Sequence, residues 1–114
     1  MVGYHINARV FLLCMAKDEP TIRSDIENYI DRKGETYTSW YVGVAEDARD
    51  KLFKDHKVDE KNGSWIYRNA ASRTIAERIE KYFVNQLGTK GNPGGSSDAT
   101  RSVYAYKITD NTKQ

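Results

Sequence analysis

The sequence predicts a small α/β (α+β) domain, in which helices flank a mixed or antiparallel central sheet. At 114 residues the chain has room for one modest core and not for two. Segments rich in β-forming residues alternate with helical segments in the order β, α, β, α, β, α, β. The intervening helices are short, which favours a small sheet over a large doubly wound one. We therefore predict a single domain with its core at residues 8–108.

The first strand is predicted at residues 8–15, where a short apolar run lies between polar residues. The helix that follows, at residues 21–33, has clear boundary signals. Asp18 suits the N-cap, Pro20 suits the first turn, and Gly34 suits the C-terminal stop. Apolar residues at helical spacing predict a face that packs on the sheet. They are Ile22, Ile26, Tyr29 and Ile30.

The middle of the chain predicts a strand, a short helix and another strand. The run TYTSWYVGVA is rich in β-forming residues, and Gly43 marks a point where the backbone approaches another group closely. Asp47 is the predicted N-cap of a helix that turns Ala48 and Leu52 inward. The run SWIYRNA is predicted to be a short aromatic strand.

The last third of the chain begins with an amphipathic helix in SRTIAERIEKYFVNQLG. We predict that Thr74 and Glu77 form a capping box and that Gly88 ends the helix. Residues 89–101 are rich in Gly and Ser and predict a flexible loop, and residues 109–114 predict a flexible tail. Between them, SVYAYKI has apolar residues on both faces, which predicts an internal strand. The apolar positions of the helix are Ile75, Ile79, Tyr82, Phe83 and Leu87.

The composition excludes a strong global electric field. Lys and Arg number 18, Asp and Glu number 16, and the net charge of +2 draws neither nucleic acid nor a membrane to the whole surface. The single cysteine, Cys14, excludes an internal disulfide and a cysteine-rich zinc site, which fits a reducing compartment. We expect a cytoplasmic protein with no membrane partner.

The strand and helix in the middle of the chain form a recognisable motif. The run YVG at residues 41–43 leads into a helix with Lys51 and His56. This resembles the second motif of the GIY-YIG nuclease superfamily, which leads into a basic helix with a His or Tyr. Residues 76–80 resemble its A-x-x-x-E helix, and Asn92 resembles the Asn that follows that helix. The resemblance covers roughly residues 36–95.

The resemblance implies an endonuclease-like domain that hydrolyses nucleic-acid phosphodiester bonds with one divalent metal, Mg²⁺ or Mn²⁺. Glu80 would hold the metal, because a hard cation prefers carboxylate oxygen, and Tyr41 would help to activate the attacking water. The match at Asn92 places the loop at residues 89–97 beside Glu80. The implied catalytic set is Tyr41, Arg49, Lys51, His56, Glu80 and Asn92. The residues predicted to bind substrate, with DNA favoured over RNA, are Trp40, Gly43, Lys90 and Arg101.

The match departs from the superfamily pattern at three points. Lys51 stands where the family has Arg, and it lacks the bidentate fork that suits a phosphate, while Arg49 lies on a different helical face. His56 falls one residue beyond its usual place, and no G-I-Y motif precedes Tyr41. The alternative is a catalytically degenerate relative that binds nucleic acid, a nucleotide or a protein partner, for example as a phage or mobile-element protein.

Among the candidate residues, Glu80 is the hardest to interpret as an ordinary surface residue. It lies on the flank of the apolar stripe of its helix, and no cation stands three or four residues away, whereas Glu77 has basic residues at those positions. A carboxylate at the edge of a core needs a more distant partner. Two interpretations remain open, a metal ion or a structural salt bridge to Arg49 or Lys51.

Overall fold

The structure is a computed structural model that describes residues 16–34, 36–94 and 96–114. Within these ranges the chain forms three helices and a three-stranded antiparallel sheet, a small α+β fold of the predicted class. The strand predicted at residues 8–15 lies outside the described residues. In the described ranges, none of the helices has the length and apolarity needed to cross a membrane.

Helix α1, Glu19–Arg32, begins and ends where its capping residues predict. The Asp18 side chain caps it by accepting a hydrogen bond of 2.9 Å from the Thr21 amide, and Pro20 lies in the first turn. Gly34 follows the last turn with φ of 73°, a conformation that costs glycine little. The inward face is apolar, as predicted. It consists of Ile22, Ile26 and Ile30, all fully buried.

The sheet consists of β1, Trp40–Ala45, β2, Trp65–Asn69, and β3, Ser102–Lys107. Both β1 and β2 pair antiparallel with β3, so the strand order is β1, β3, β2. The central place of β3 confirms the prediction from its apolar residues on both faces.

Helix α2, Ala48–Asp50, is capped by Asp47, whose carboxylate accepts a hydrogen bond of 3.1 Å from the Asp50 amide. It continues as a π-helical turn, Lys51–Asp55. The wider turn ends where the His56 amide bonds the Lys51 carbonyl at 2.9 Å. Single π turns often occur at functional sites, because they change the direction in which the next side chains point.

Helix α3, Arg73–Lys81, begins two residues earlier than the sequence predicts. The capping box of Thr74 and Glu77 was a wrong prediction, because Ser72 is the N-cap and accepts a 3.2 Å bond from the Ile75 amide. Glu77 instead pairs with Arg73 at 3.2 Å. A π-helical turn, Tyr82–Leu87, follows, and Gly88 ends it in the left-handed region, as predicted.

The two faces of the sheet pack against different helices. On one face α1 and α3 cover a core that includes Val103 and Ala105 of β3. On the other face α2 covers a core that includes Tyr104 and Tyr106. Because side chains alternate along a strand, β3 sends small apolar residues to the first face and tyrosines to the second. The candidate site lies on the tyrosine face.

Candidate functional site

A cleft of about 570 Å³ opens on the tyrosine face of the sheet. It is walled by β1, β3, α2 with its π turn, the end of α3, the loop after α3, and the segment around Lys113. Much of the set that the sequence singled out converges here. The predicted site residues that line the cleft are Tyr41, Gly43, Lys51, His56, Glu80 and Asn92.

Trp40 does not take part in the cleft, although it was predicted to bind substrate. Its side chain is 0% exposed and packs on the other face of the sheet, with Tyr29 edge-on at 5.8 Å between ring centroids. Neighbouring residues of a strand point to opposite faces, so Tyr41 faces the cleft and Trp40 must face the core. Burial therefore excludes Trp40 as a surface on which a base could stack.

Arg49 also points elsewhere. Its guanidinium forms an ion pair with Glu60 and lies over the rings of Phe53 and Trp65, at 5.1 and 5.6 Å from their centroids. Lys51, two residues later, reaches the cleft and forms an ion pair of 3.3 Å with Asp55. Of the two cations that the sequence offered for this helix, Lys51 is the one that lines the cleft.

Lys90 and Arg101 hold the loop to the sheet through their backbones, and neither side chain lines the cleft. The Lys90 amide donates to the Trp40 carbonyl at 2.8 Å, and its carbonyl accepts from the Val42 amide at 3.0 Å. The Arg101 amide donates to the Ala45 carbonyl at 3.4 Å. Both side chains are exposed. Their predicted role in substrate binding is not supported by their position.

Glu80 is the most unusual group in the cleft. Its side chain is 3% exposed, and its buried Oε1 atom has no hydrogen-bond partner among the residues that the structure describes. The salt bridge considered from the sequence is not formed in the described residues, because Arg49 pairs with Glu60 and Lys51 pairs with Asp55. Burial, and then the negative charge of Glu77, raise the pKa of Glu80 to about 7. The cleft thus holds a carboxylate with unused binding capacity.

His56 and Tyr104 form a hydrogen-bonded pair at the cleft. The imidazole is 6% exposed, and its Nε2 lies 2.7 Å from the Tyr104 hydroxyl oxygen. Its Nδ1 lies 2.7 Å from the carbonyl oxygen of Lys113. Burial lowers the pKa of His56, against the opposite effect of the bond to Lys113, and burial raises the pKa of Tyr104. At neutral pH both groups are therefore uncharged.

Tyr104 is a site residue that the sequence did not predict. It stands in the strand that was recognised as central, and the alternation of SVYAYK puts Tyr104 and Tyr106 on one face. The missing information was the register, which sets Tyr104 opposite Gly43 of β1. Tyr41 stacks on Tyr106 with ring centroids 5.2 Å apart, next to this pair. Pairing the last strand with the YVG strand would have drawn attention to it.

Gly43 is needed because Tyr104 lies directly over it. A Cβ atom at this position would stand 2.5 Å from the Tyr104 hydroxyl oxygen, closer than real Cβ contacts allow. The prediction that the backbone at Gly43 approaches another group closely is confirmed. The absent side chain leaves the space in which the Tyr104 hydroxyl reaches His56.

The loop that contains Asn92 borders the cleft that Glu80 lines, as predicted. Gly91 permits this approach, since a Cβ atom there would stand 2.7 Å from the Val42 carbonyl oxygen and 2.5 Å from a Val84 methyl group. Farther along the loop, Ser97 donates a hydrogen bond of 2.8 Å to Glu46 at the rim. Close packing of the loop on β1 thus sets the position of Asn92.

Negative charge dominates the lining of the cleft. Five carboxylates stand against two ammonium groups, so a phosphate entering alone would be repelled. In the described residues no group of three or more His, Cys, Asp or Glu side chains forms a metal cage. Mg²⁺, however, commonly binds through one or two carboxylates together with waters and substrate phosphates, and Glu80 fits that kind of open site. The charged groups are Glu46, Asp47, Asp50, Asp55 and Glu80, with Lys51 and Lys113.

Comparison with known protein families, with curated proteins and with solved structures finds no match. The resemblance to the GIY-YIG superfamily therefore stays a prediction.

Proposed function

We propose that the protein is a small metal-dependent hydrolase of nucleic-acid phosphodiester bonds. The observation that carries the proposal is the buried oxygen of Glu80, which no described residue bonds, in a cleft that also holds a hydrogen-bonded Tyr104 and His56. A carboxylate without a partner is costly to bury, and a cation in the cleft would remove that cost. The GIY-YIG resemblance supports the same chemistry, since it assigns the metal to this glutamate.

Glu80 would hold Mg²⁺ or Mn²⁺, with the remaining positions left to water and to substrate phosphate oxygens. The metal would supply positive charge against the phosphate and lower the pKa of a bound water. The acidic rim favours binding of the metal before the nucleic acid, because nucleic acid gains access to the cleft only when a cation offsets the carboxylates.

The residues of the chain account for proton movement. In the proposed reaction a water attacks phosphorus and its proton passes to the hydroxyl oxygen of Tyr104, while the Tyr104 proton passes to His56 Nε2. The bond from phosphorus to the leaving oxygen breaks, and solvent protonates that oxygen. The Lys51 ammonium faces the charge that develops on the phosphate. Tyr41, next to the pair, packs the side of the cleft and supports the orientation of both rings.

The test is cleavage of plasmid and single-stranded substrates with Mg²⁺, with Mn²⁺ and with a chelator. We expect cutting with either metal, none with the chelator, and none by Glu80→Gln, which keeps the side-chain shape and removes the charge. Glu27→Gln is the matched control, because Glu27 belongs to α1 on the opposite face of the sheet and bonds Tyr82. Absence of cleavage by the unmodified protein under all conditions would overturn the proposal.

A second candidate is a catalytically degenerate protein that binds a partner in the cleft. The acidic lining favours a basic protein segment over a nucleic acid as that partner. This candidate predicts binding that does not need a divalent cation and that weakens as salt rises. Magnesium-dependent cleavage would exclude it.

A further inference from the structure

The segment after β3 returns to the cleft and contacts His56 at two points. The Lys113 amide donates to the His56 backbone carbonyl at 2.6 Å, and the Lys113 carbonyl lies 2.7 Å from His56 Nδ1. A turn closed by Thr109 and Thr112 directs the chain there, with a bond of 2.9 Å from the Thr109 amide to the Thr112 hydroxyl. Although the sequence predicts a flexible tail, this segment is part of the cleft wall.

The Lys113 carbonyl determines which nitrogen of His56 carries the proton. A backbone carbonyl can only accept a hydrogen bond, so at 2.7 Å it requires Nδ1 to be the donor. A bare Nδ1 would set two lone pairs against each other at that distance. In a neutral imidazole the other nitrogen is then unprotonated, and Nε2 can only accept. Its partner at 2.7 Å, the Tyr104 hydroxyl, must therefore donate.

Tyr106 is the competing partner and does not change this conclusion. Its hydroxyl oxygen lies 3.0 Å from His56 Nδ1 and 3.4 Å from the Lys113 carbonyl oxygen. Both distances are longer than the one that joins Nδ1 to the carbonyl. With Nδ1 protonated, the Tyr106 hydroxyl can direct its own hydrogen to the same carbonyl. The Tyr106 hydroxyl is thus compatible with a protonated Nδ1 that donates to the Lys113 carbonyl.

We infer that the Lys113 backbone carbonyl is a positioning group, which fixes the His56 tautomer so that the Tyr104 hydroxyl donates to Nε2 and keeps its oxygen free to accept a proton. The consequence for catalysis rests on the proposed function. There, the tautomer decides whether Nε2 can take the Tyr104 proton at all, because an Nε2 that already carries hydrogen has no lone pair to offer. The inference concerns the backbone of Lys113 and not its ammonium group.

The tautomer can be measured without any cleavage assay. In protein labelled with ¹⁵N-histidine, long-range ¹H–¹⁵N spectra above neutral pH distinguish a protonated from a bare ring nitrogen. The chain contains two histidines, so His5→Gln assigns the signals. We expect His56 to show a protonated Nδ1 and a bare Nε2. The opposite tautomer in the unmodified protein would overturn the inference.

Three variants separate the carbonyl from its surroundings. Lys113→Ala keeps the carbonyl, and Tyr106→Phe removes the competing hydroxyl, so both should keep the Nδ1-protonated tautomer. A chain that ends at Thr112 lacks the carbonyl and should lose the Nδ1-protonated tautomer. The inference fails if Tyr106→Phe loses this tautomer, or if the shortened chain retains it. Should the shortened chain not fold, the unmodified protein and Tyr106→Phe still decide the question.

Cleavage kinetics connect the tautomer to the proposed function. Relative to Lys113→Ala, which also lacks the ammonium, the shortened chain should show a kcat at least about tenfold lower with KM nearly unchanged, because only proton transfer differs between the two. Loss of the tautomer without any fall in kcat would overturn the assigned role. If the unmodified protein cuts nothing, the proposed function fails, while the spectra still show whether Lys113 sets the tautomer.

Discussion

Glu80→Gln should abolish a specific pH dependence of stability. In the folded protein the pKa of Glu80 is raised from 4.5 to about 7, chiefly by burial. Between those values the folded state holds a proton that the unfolded chain has released, so the free energy of unfolding falls as pH rises through this window. Below the window and above it, this carboxyl adds no further pH dependence. The glutamine variant carries no titrating group and lacks the effect.

The size of the effect follows from the two pKa values. At about 1.4 kcal/mol for each pH unit between them, the unmodified protein should lose roughly 3 kcal/mol relative to Glu80→Gln between pH 4.5 and pH 8. Other groups, His56 included, titrate in both proteins and cancel in the difference. Any cost of burying the glutamine amide lowers the free energy of unfolding of the variant by the same amount at every pH. Guanidinium unfolding of both proteins at several pH values measures the difference directly.

Two results would refute this reasoning. Equal pH dependence in both proteins would mean that Glu80 titrates like a solvated carboxyl. A stability deficit of the variant that grows as pH rises to 8 would mean that a cation already pairs with ionised Glu80 in the folded protein. Addition of Mg²⁺ at pH 8 provides the complementary check, because it should stabilise the unmodified protein and leave the variant unchanged.

Three further substitutions test the packing around the cleft and the electrostatic environment of Glu80. Gly43→Ala should displace the Tyr104 hydroxyl, cost about 1–3 kcal/mol in urea unfolding and change the histidine spectrum, and an unchanged spectrum would contradict the overlap at 2.5 Å. Gly91→Ala should push the loop from β1, which hydrogen exchange detects as faster exchange of the strand amide that bonds the loop. Glu77→Gln removes a negative charge near Glu80, so the stability loss described above should shift to lower pH, and a shift to higher pH would disprove that electrostatic effect.

Local signals predicted the elements well. Asp18 and Gly34 define the ends of α1 because capping chemistry involves only neighbouring residues. The same chemistry misled at α3, where Ser72 and Thr74 both have hydroxyl groups suited to a cap, and only the path of the incoming chain selects Ser72. The central place of β3 was predictable, because apolar residues on both of its faces need cover on both sides.

The candidate site was predicted in part, and the missing parts depend on long-range geometry. Tyr41 and Trp40 are neighbours with similar chemistry, and the sequence did not show that only Tyr41 faces the cleft. Tyr104 enters the site through strand register, and Lys113 through a turn that follows the last strand. Neither signal is contained in the residues that surround the YVG motif. Contacts between positions more than 40 residues apart require the fold itself.

The strand order has a consequence for the timing of folding during synthesis. Among the three described strands, β1 and β2 each pair with β3 and not with each other, and β3 leaves the ribosome after both of them. Helix α1 can form early from local contacts, while β1 and β2 lack their partner strand β3 until residues 102–107 emerge. A nascent chain of this protein is therefore most exposed to aggregation just before its last strand appears, and chaperone protection would matter most at that moment.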